Sequence, residues 1–264
     1  MSKKNFKYIY GPVMSWRLGT SLGIDPISEK EKTCSFDCIY CQIGRTKVFN
    51  KERKIFVAAD EIMKETDLLP EMAIDYITFS GTGEPTLAAN LGKMIKAVKQ
   101  KRREKVAVIT NSSLIDKKDV QEDLFGADCI IAKLDAHAPG LFEKINQPMK
   151  KVSFHQIIKG IKEFNASYDG KFALQIMFTE ENRKYAEDIA KLANNISPKE
   201  IQLNTPLRPC NVLPLGKEAL NEIKQVFLKE CKNSINIIGV YDIEKKKTEP
   251  ISNKDTLKRR GKTY

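Results

Sequence analysis

The sequence predicts an α/β fold built on a parallel sheet, and two observations carry that prediction. Short β-rich runs alternate with helix-patterned stretches along most of the chain, and 264 residues with 41% hydrophobic content suffice to bury one large core. Strand followed by helix, repeated, gives right-handed βαβ units and hence parallel strands. A third observation, the three cysteines between Cys34 and Cys41, says where the chemistry is to be sought.

Taken in order, the strand candidates are Leu22–Ile24, Tyr76–Phe79, Val106–Ile109, Cys129–Leu134, Phe172–Phe178 and Glu200–Leu203. Each is short, apolar or β-branched, and bounded by polar or glycine-rich sequence. Residues 60 to 69, 88 to 103, 117 to 125, 152 to 165 and 182 to 194 carry the helical period between them, and 216 to 231 follows the sixth strand. Periodicity by itself leaves two arrangements open, a doubly wound open sheet and a sheet curved toward a barrel. In a parallel barrel the working groups gather at the carboxyl ends of the strands.

Composition narrows the setting. No apolar run approaches the ~18 residues of a membrane span, and the amino terminus lacks an apolar leader, so the expected location is cytoplasmic with no membrane partner. Six cysteines in such a chain point to metal binding rather than a disulfide framework. The formal net charge is +11, and residues 229 to 264 hold ten Lys/Arg against five Asp/Glu. That balance bears on polyanion attraction and not on fold. The runs Lys245–Lys247 and Lys258–Arg260 read as a turn and a solvated tail, with a nucleic-acid patch as the alternative.

The segment Cys34-Ser-Phe-Asp-Cys38-Ile-Tyr-Cys41 spaces three thiols by four and three residues. A structural zinc site needs a fourth ligand, and His137 and His155 lie far downstream while Cys129, Cys210 and Cys231 are scattered. A 4Fe-4S cluster normally takes four cysteines, so three would leave one iron open to another ligand. This spacing, with Tyr40 just before the last cysteine, resembles the signature of the radical S-adenosylmethionine (radical SAM) family. The resemblance implies a partial (β/α)6 TIM-like barrel with the cysteine loop after the first strand. It implies Cys34, Cys38 and Cys41 as ligands of a 4Fe-4S cluster, with SAM chelating the open iron. An electron supplied by a donor such as flavodoxin or ferredoxin then yields a 5'-deoxyadenosyl radical.

The same resemblance extends to the strand ends. Ser80-Gly-Thr-Gly-Glu84 is similar to the family's glycine-glycine-glutamate element, with Thr82 where its first glycine would stand. Thr82, Gly83 and Glu84 are therefore expected at the SAM amino group. Tyr40, Asn111, Lys133 and Asp135 are the further cofactor-binding candidates, with turn and N-cap chemistry as the alternative for Asn111 and Asp135. Arg208 and Cys210, after the sixth strand, are substrate-side candidates, and no catalytic residue beyond these is assigned.

A closer resemblance covers nearly the whole chain. Tyr10-Gly-Pro-Val, Arg17-Leu-Gly, Ser21-Leu-Gly-Ile-Asp25, Lys133-Leu-Asp-Ala, Phe142-Glu-Lys-Ile-Asn-Gln-Pro148 and Gln202-Leu-Asn-Thr-Pro-Leu-Arg-Pro209 look like an uncharacterised radical SAM subgroup. That subgroup is related to the tRNA wyosine-synthesis enzymes (4-demethylwyosine synthase). Those enzymes are expected to carry further cysteines ahead of the radical SAM loop, and none precedes Cys34 here. The expectation is a radical SAM barrel over residues 1 to 232, a basic extension over 233 to 264, and an unidentified substrate with RNA as a candidate. A different class of function, a non-catalytic iron-sulfur or zinc protein sensing redox state or binding nucleic acid, would explain the cysteines but not the Gly-Thr-Gly-Glu turn.

Overall fold

Apolar residues in the central strands fill both faces, as parallel strands buried on both sides require. The computed structural model describes residues 6–243 and 248–261. In it the six expected runs become β2 (Gly19–Ile24), β5 (Tyr76–Phe79), β6 (Lys105–Thr110), β7 (Cys129–Lys133), β8 (Lys171–Met177) and β9 (Glu200–Asn204). They lie side by side in chain order, each parallel to the next. Two edge strands complete an eight-stranded sheet: β1 (Ile9–Ser15), antiparallel to β2, and β10 (Asn236–Gly239), parallel to β9. The strand order does not return on itself, so the curled sheet is a half-barrel. A separate pair, β3 (Thr33–Cys34) and β4 (Val48–Phe49), frames the cysteine loop.

Side chains alternate across a strand, and here the alternation sorts two unequal cores. Leu22, Ile77, Phe79, Val106, Val108, Ile130, Phe172, Leu174 and Ile201 belong to the larger one, each worth about 1.5 to 3 kcal/mol when fully buried. It is shared with α1 (Ala59–Thr66), α2 (Leu91–Lys101), α3 (Lys118–Phe125), α4 (Pro139–Asn146), α5 (Phe154–Ser167), α7 (Ala186–Ile196) and α8 (Lys217–Glu230), while the polar turn α6 (Glu180–Arg183) leads from β8 into α7. The opposite face holds a small plug of Leu18, Ala107, Cys129, Ile131 and Ala173. Those residues sit toward the amino ends of their parallel strands, so the concave face is closed at the bottom and open toward the carboxyl ends. No described helix is long and apolar enough to cross a membrane.

Of the elements that escaped the hydrophobic pattern, three did so for clear local reasons. β1 is broken by Gly11-Pro12 and slips register between Tyr10 and Val13, which destroys strict alternation. α4 opens on Pro139-Gly140, a pair that reads as a turn, although proline suits a first helical turn. The third is α9 (Asn253–Arg260), where four of eight residues are Lys or Arg and the apolar stripe is missing. It packs on β1: Ile251 N–H donates to Gly11 O at 2.6 Å, and Gly11 N–H donates to Thr256 Oγ1 at 3.0 Å. The segment beyond 232 thus contributes a strand to one sheet edge and a helix to the other. Lys245–Lys247 lie outside the described residues.

Candidate functional site

The cysteine loop is held from both sides before any thiol is considered. Phe36 is 2% exposed and meets the Phe142 ring edge-on. Asp37 N–H and Ile39 N–H donate to Gln147 O (3.1 Å) and Ile145 O (3.0 Å) around the end of α4. The Asp37 carboxylate accepts from Thr46 N–H at 2.7 Å and pairs with Arg45 at 3.3 Å. Thr46 Oγ1 donates to Phe36 O at 2.6 Å. The residues between and behind the cysteines therefore fix the loop's shape, and the thiols are left facing inward.

Cys34 is buried, and Cys38 and Cys41 are half-buried. Asn111 Nδ2 lies 3.5 Å from Cys34 Sγ, Asn146 Nδ2 lies 3.6 Å from Cys38 Sγ, and Lys32 Nζ donates to Gly44 O at 3.0 Å. Burial pushes the Cys34 thiol up to about 11 and the Cys38 thiol up to about 12, with Lys32 opposing the rise at Cys34 and the neighbouring Asp135 charge adding to it at Cys38. Thiols of this kind become thiolates when metal is bound. Among the described residues no three His, Cys, Asp or Glu side chains converge on one ion position. Three thiolates on one zinc would stand about 3.7 Å apart, from Zn–S bonds of about 2.3 Å. A cubane spreads its thiolates over different irons. The donor set, soft sulfur ringed by N–H donors, fits such a cluster, whose potential those donors tune.

Glu84 is 2% exposed and already engaged. Its Oε1 accepts from Thr86 N–H (3.1 Å), Thr86 Oγ1 (2.7 Å) and Thr110 Oγ1 (2.6 Å), and its Oε2 from Asn111 N–H (2.7 Å). Burial nevertheless holds its carboxyl above the ordinary value, against the lowering by those donors. Gly83 is where the backbone crosses β3: a Cβ there would stand 1.9 Å from Thr33 O. Thr82 donates through N–H and Oγ1 to Asp25 Oδ2 at 3.1 and 2.9 Å. The Gly-Thr-Gly-Glu turn thus knits Asp25, β3 and the end of β6 together, and none of Thr82, Gly83 and Glu84 lines the cavity described below.

Asp135 is a second hub. Its Oδ2 accepts from Tyr40 Oη and from Asn146 Nδ2 (2.8 Å), while Oδ1 accepts from Met177 N–H (2.7 Å) and pairs with Lys133 Nζ at 3.1 Å. Lys133 Nζ also lies 5.0 Å from the Tyr40 ring centroid. Tyr40 is held well above the ordinary phenol value by burial and then by the Asp135 charge, so it remains a donor. Asn111 combines both readings given to it: Oδ1 caps Ser113 N–H at 2.9 Å in a turn, and Nδ2 reaches Ser35 Oγ at 2.9 Å beside Cys34.

A cavity of about 250 Å³ fills the concave face. Tyr40 and Cys41 of the cysteine loop line it with Lys133, Gln175 and Met177, and so does a cluster of arginines, Arg17, Arg208, Arg259 and Arg260, with Tyr10 and Ser21. Of the residues expected from the sequence, Tyr40, Cys41, Lys133 and Arg208 reach this space. Cys210 does not line it, because its Sγ turns to Val212 O at 3.2 Å within its own proline-flanked loop. Sequence reasoning missed the roles of Asp25, Asn146, Arg259 and Arg260. For Asp25 a signal existed, since it closes the first inner strand as Asp135 closes the fourth. For the two arginines none did, because a basic terminal helix without an apolar stripe reads as solvated.

A parallel half-barrel, with a three-cysteine loop at the carboxyl ends of its strands and a cavity beneath, defines a class. The Radical SAM superfamily profile matches residues 32–193, and the chain belongs to that superfamily, which works with a 4Fe-4S cluster and SAM. Within it, the chain is 41% identical over 219 residues to a UPF0026 protein of Synechocystis sp., covering 81% of this chain and 79% of that one. It is 35% identical over 244 residues to a UPF0026 protein of Methanocaldococcus jannaschii, covering 88% and 75%. A Brachyspira hyodysenteriae protein called GTPase Obg is 37% identical over 264 residues, 97% of this chain but 38% of that one, so the chain spans well under half of that relative. TYW1, solved with a lysine-pyruvate adduct bound, superposes with a TM-score of 0.64 at 15% identity over 82% of this chain and 76% of that one. The likeness to wyosine-synthesis enzymes therefore stands at the level of fold.

Proposed function

We propose that this protein reductively cleaves SAM at a 4Fe-4S cluster held by Cys34, Cys38 and Cys41 and directs the product radical onto a substrate inside the half-barrel. One observation supports this above the others: the loop carrying the three thiols borders the cavity through Tyr40 and Cys41 and is braced by Asp37, Asp135 and Asn146. The cluster with SAM, when bound, supplies a 5'-deoxyadenosyl radical. The protein's own task is then to bind, orient and shield, since the difficult chemistry belongs to the cofactor.

Tyr40 and Lys133, which face the cavity, are the direct cofactor contacts in this reading. Thr82, Gly83, Glu84, Asn111 and Asp135 are positioning residues that hold the loop against the strand ends. The apolar plug beneath closes the cavity floor and keeps water from the space where a reactive carbon centre would form. A redox sensor or zinc protein would have no use for a lined cavity below its thiols, which favours the enzyme.

The test is anaerobic reconstitution. Brown protein with about four irons per chain, releasing 5'-deoxyadenosine and methionine from SAM on reduction, is the expected result. Colourless protein holding only zinc, or S-adenosylhomocysteine as the main product, would overturn the proposal.

A further inference from the structure

The arginine cluster of the cavity is not explained by the cofactor reading. Arg259 is balanced: its Nε lies 3.3 Å from Asp25 Oδ2, in a pair whose side chains are 3% and 0% exposed. Arg17, Arg208 and Arg260 line the same cavity, and among the described residues none of the three pairs with a carboxylate. Arg17 Nε is buried without a hydrogen-bond partner, and Arg208 donates to the Arg260 carbonyl. The three side chains are half-buried, and positive charges gathered on one half-enclosed space without carboxylates favour a negative group there. Burial, then repulsion from Arg260, presses the Arg208 guanidinium down to about 9 and the Arg17 guanidinium to about 10.

Resting on the function proposed above, we infer that the substrate is a small phosphorylated molecule whose phosphate is held by Arg17, Arg208 and Arg260. Charge selects the group: a phosphate monoester carries close to two negative charges and presents several oxygens to planar forks, whereas a single carboxylate would leave more of the positive charge unmatched. Position selects size. These arginines line the inside of the half-barrel, and α9 lies over the β1 edge, tied there through Thr256 and Ile251. The helix ends against the cysteine loop, where a Cβ at Gly261 would stand 1.8 Å from Gln42 O. The basic tail is thus a wall of the cavity that turns two arginines inward. An RNA chain would instead meet the outward Lys254 and Lys258.

The test uses the full chain with its cluster reconstituted, and reads binding by calorimetry with inorganic phosphate, ribose 5-phosphate, acetate and host tRNA as separate probes. Saturable ribose 5-phosphate binding is expected, at least tenfold tighter than acetate, weakened tenfold or more in Arg208→Gln and Arg260→Gln and partly restored in Arg260→Lys. Iron content and circular dichroism check that each variant folds. Equal binding in parent and folded variants, or uptake of inorganic phosphate but not of the ester, would overturn the inference. So would loss of SAM affinity in the variants, which would give the arginines to the cofactor, or tRNA as the one probe they release. Protein that fails to take up a cluster would sink the function proposed above, while phosphate binding remains measurable on its own.

Discussion

The cysteine loop and the arginine cluster are built on opposite electrostatic plans. Around the cysteine loop every carboxylate has its donors: Asp37, Glu84 and Asp135 each accept at least two hydrogen bonds or ion pairs from named groups. In the arginine cluster the charges outnumber their partners, with Asp25 and Asp255 pairing with Arg259 and, among the described residues, with none of the other three arginines. A satisfied network is rigid and suits a group of fixed geometry. An unpaired cluster of positive charge instead favours an anion that completes it. The difference matches the two proposals made above, a resident cofactor beside the cysteine loop and an anionic ligand on the arginines.

The comparison breaks most completely at the thiols. The combined Cys34→Ala, Cys38→Ala and Cys41→Ala variant is expected to lose all cluster iron, measured by iron analysis and visible absorption, because the other three cysteines are dispersed. Retained iron would reveal a second site and remove the distinction between the two regions.

Next comes Asp25, the nearer of the two carboxylates that pair with Arg259. Asp25→Ala leaves that buried charge with only the 4.0 Å contact to Asp255 and strips Thr82 of its acceptor, and breaking such a buried pair costs about 3 to 5 kcal/mol. Chemical denaturation should show that loss, and hydrogen exchange should show residues 253 to 260 opening first. An unchanged midpoint would mean that α9 is held without the ion pair.

Glu84→Gln is smaller. The amide nitrogen cannot accept from Asn111 N–H, and leaving that donor unsatisfied costs about 1 to 3 kcal/mol. The pH dependence sharpens the reading. Because burial raises the Glu84 carboxyl in the folded state, the native form holds its proton more tightly than the unfolded one. Its contribution to stability is therefore full below the ordinary carboxylate range and falls as pH rises through the raised value. The glutamine variant should lack that fall, and denaturation midpoints from pH 4 upward would show whether it does.

The smallest effect belongs to Cys210→Ser. The hydroxyl can keep the bond to Val212 O, and the site lies off the cavity, so stability should change by no more than about 0.5 kcal/mol. Deoxyadenosine release in step with product formation would stay intact. Loss of product with release continuing would bring this loop into the substrate site.

Some of the site was legible because its signals are local. Spacing within eight residues named Cys34, Cys38 and Cys41, and an apolar strand interrupted by Lys133 marked a position that only a partner such as Asp135 makes tolerable. Glu84 was legible as a special residue, but its partners Thr86, Thr110 and Asn111 were not, because hydrogen bonds between strand ends leave no local sequence signal. α9 was hidden because the strongest helical signal in a sequence is amphipathic periodicity, and this helix buries Thr256 and Arg259 instead of an apolar stripe, with only the Ser252 cap to mark it.

The sequence by itself determined the six inner strands, their parallel sense and the cysteine loop, since each depends on contacts between near neighbours and on the single sterically favoured hand of βαβ units. Only the tertiary structure decided that β1 and α9 form one wall of the half-barrel and that Arg17, Arg208 and Arg260 meet in one space. Those contacts join residues up to about 245 positions apart, Gly11 to Thr256 among them. They rest on buried charge and single hydrogen bonds, which leave no periodic trace in a sequence.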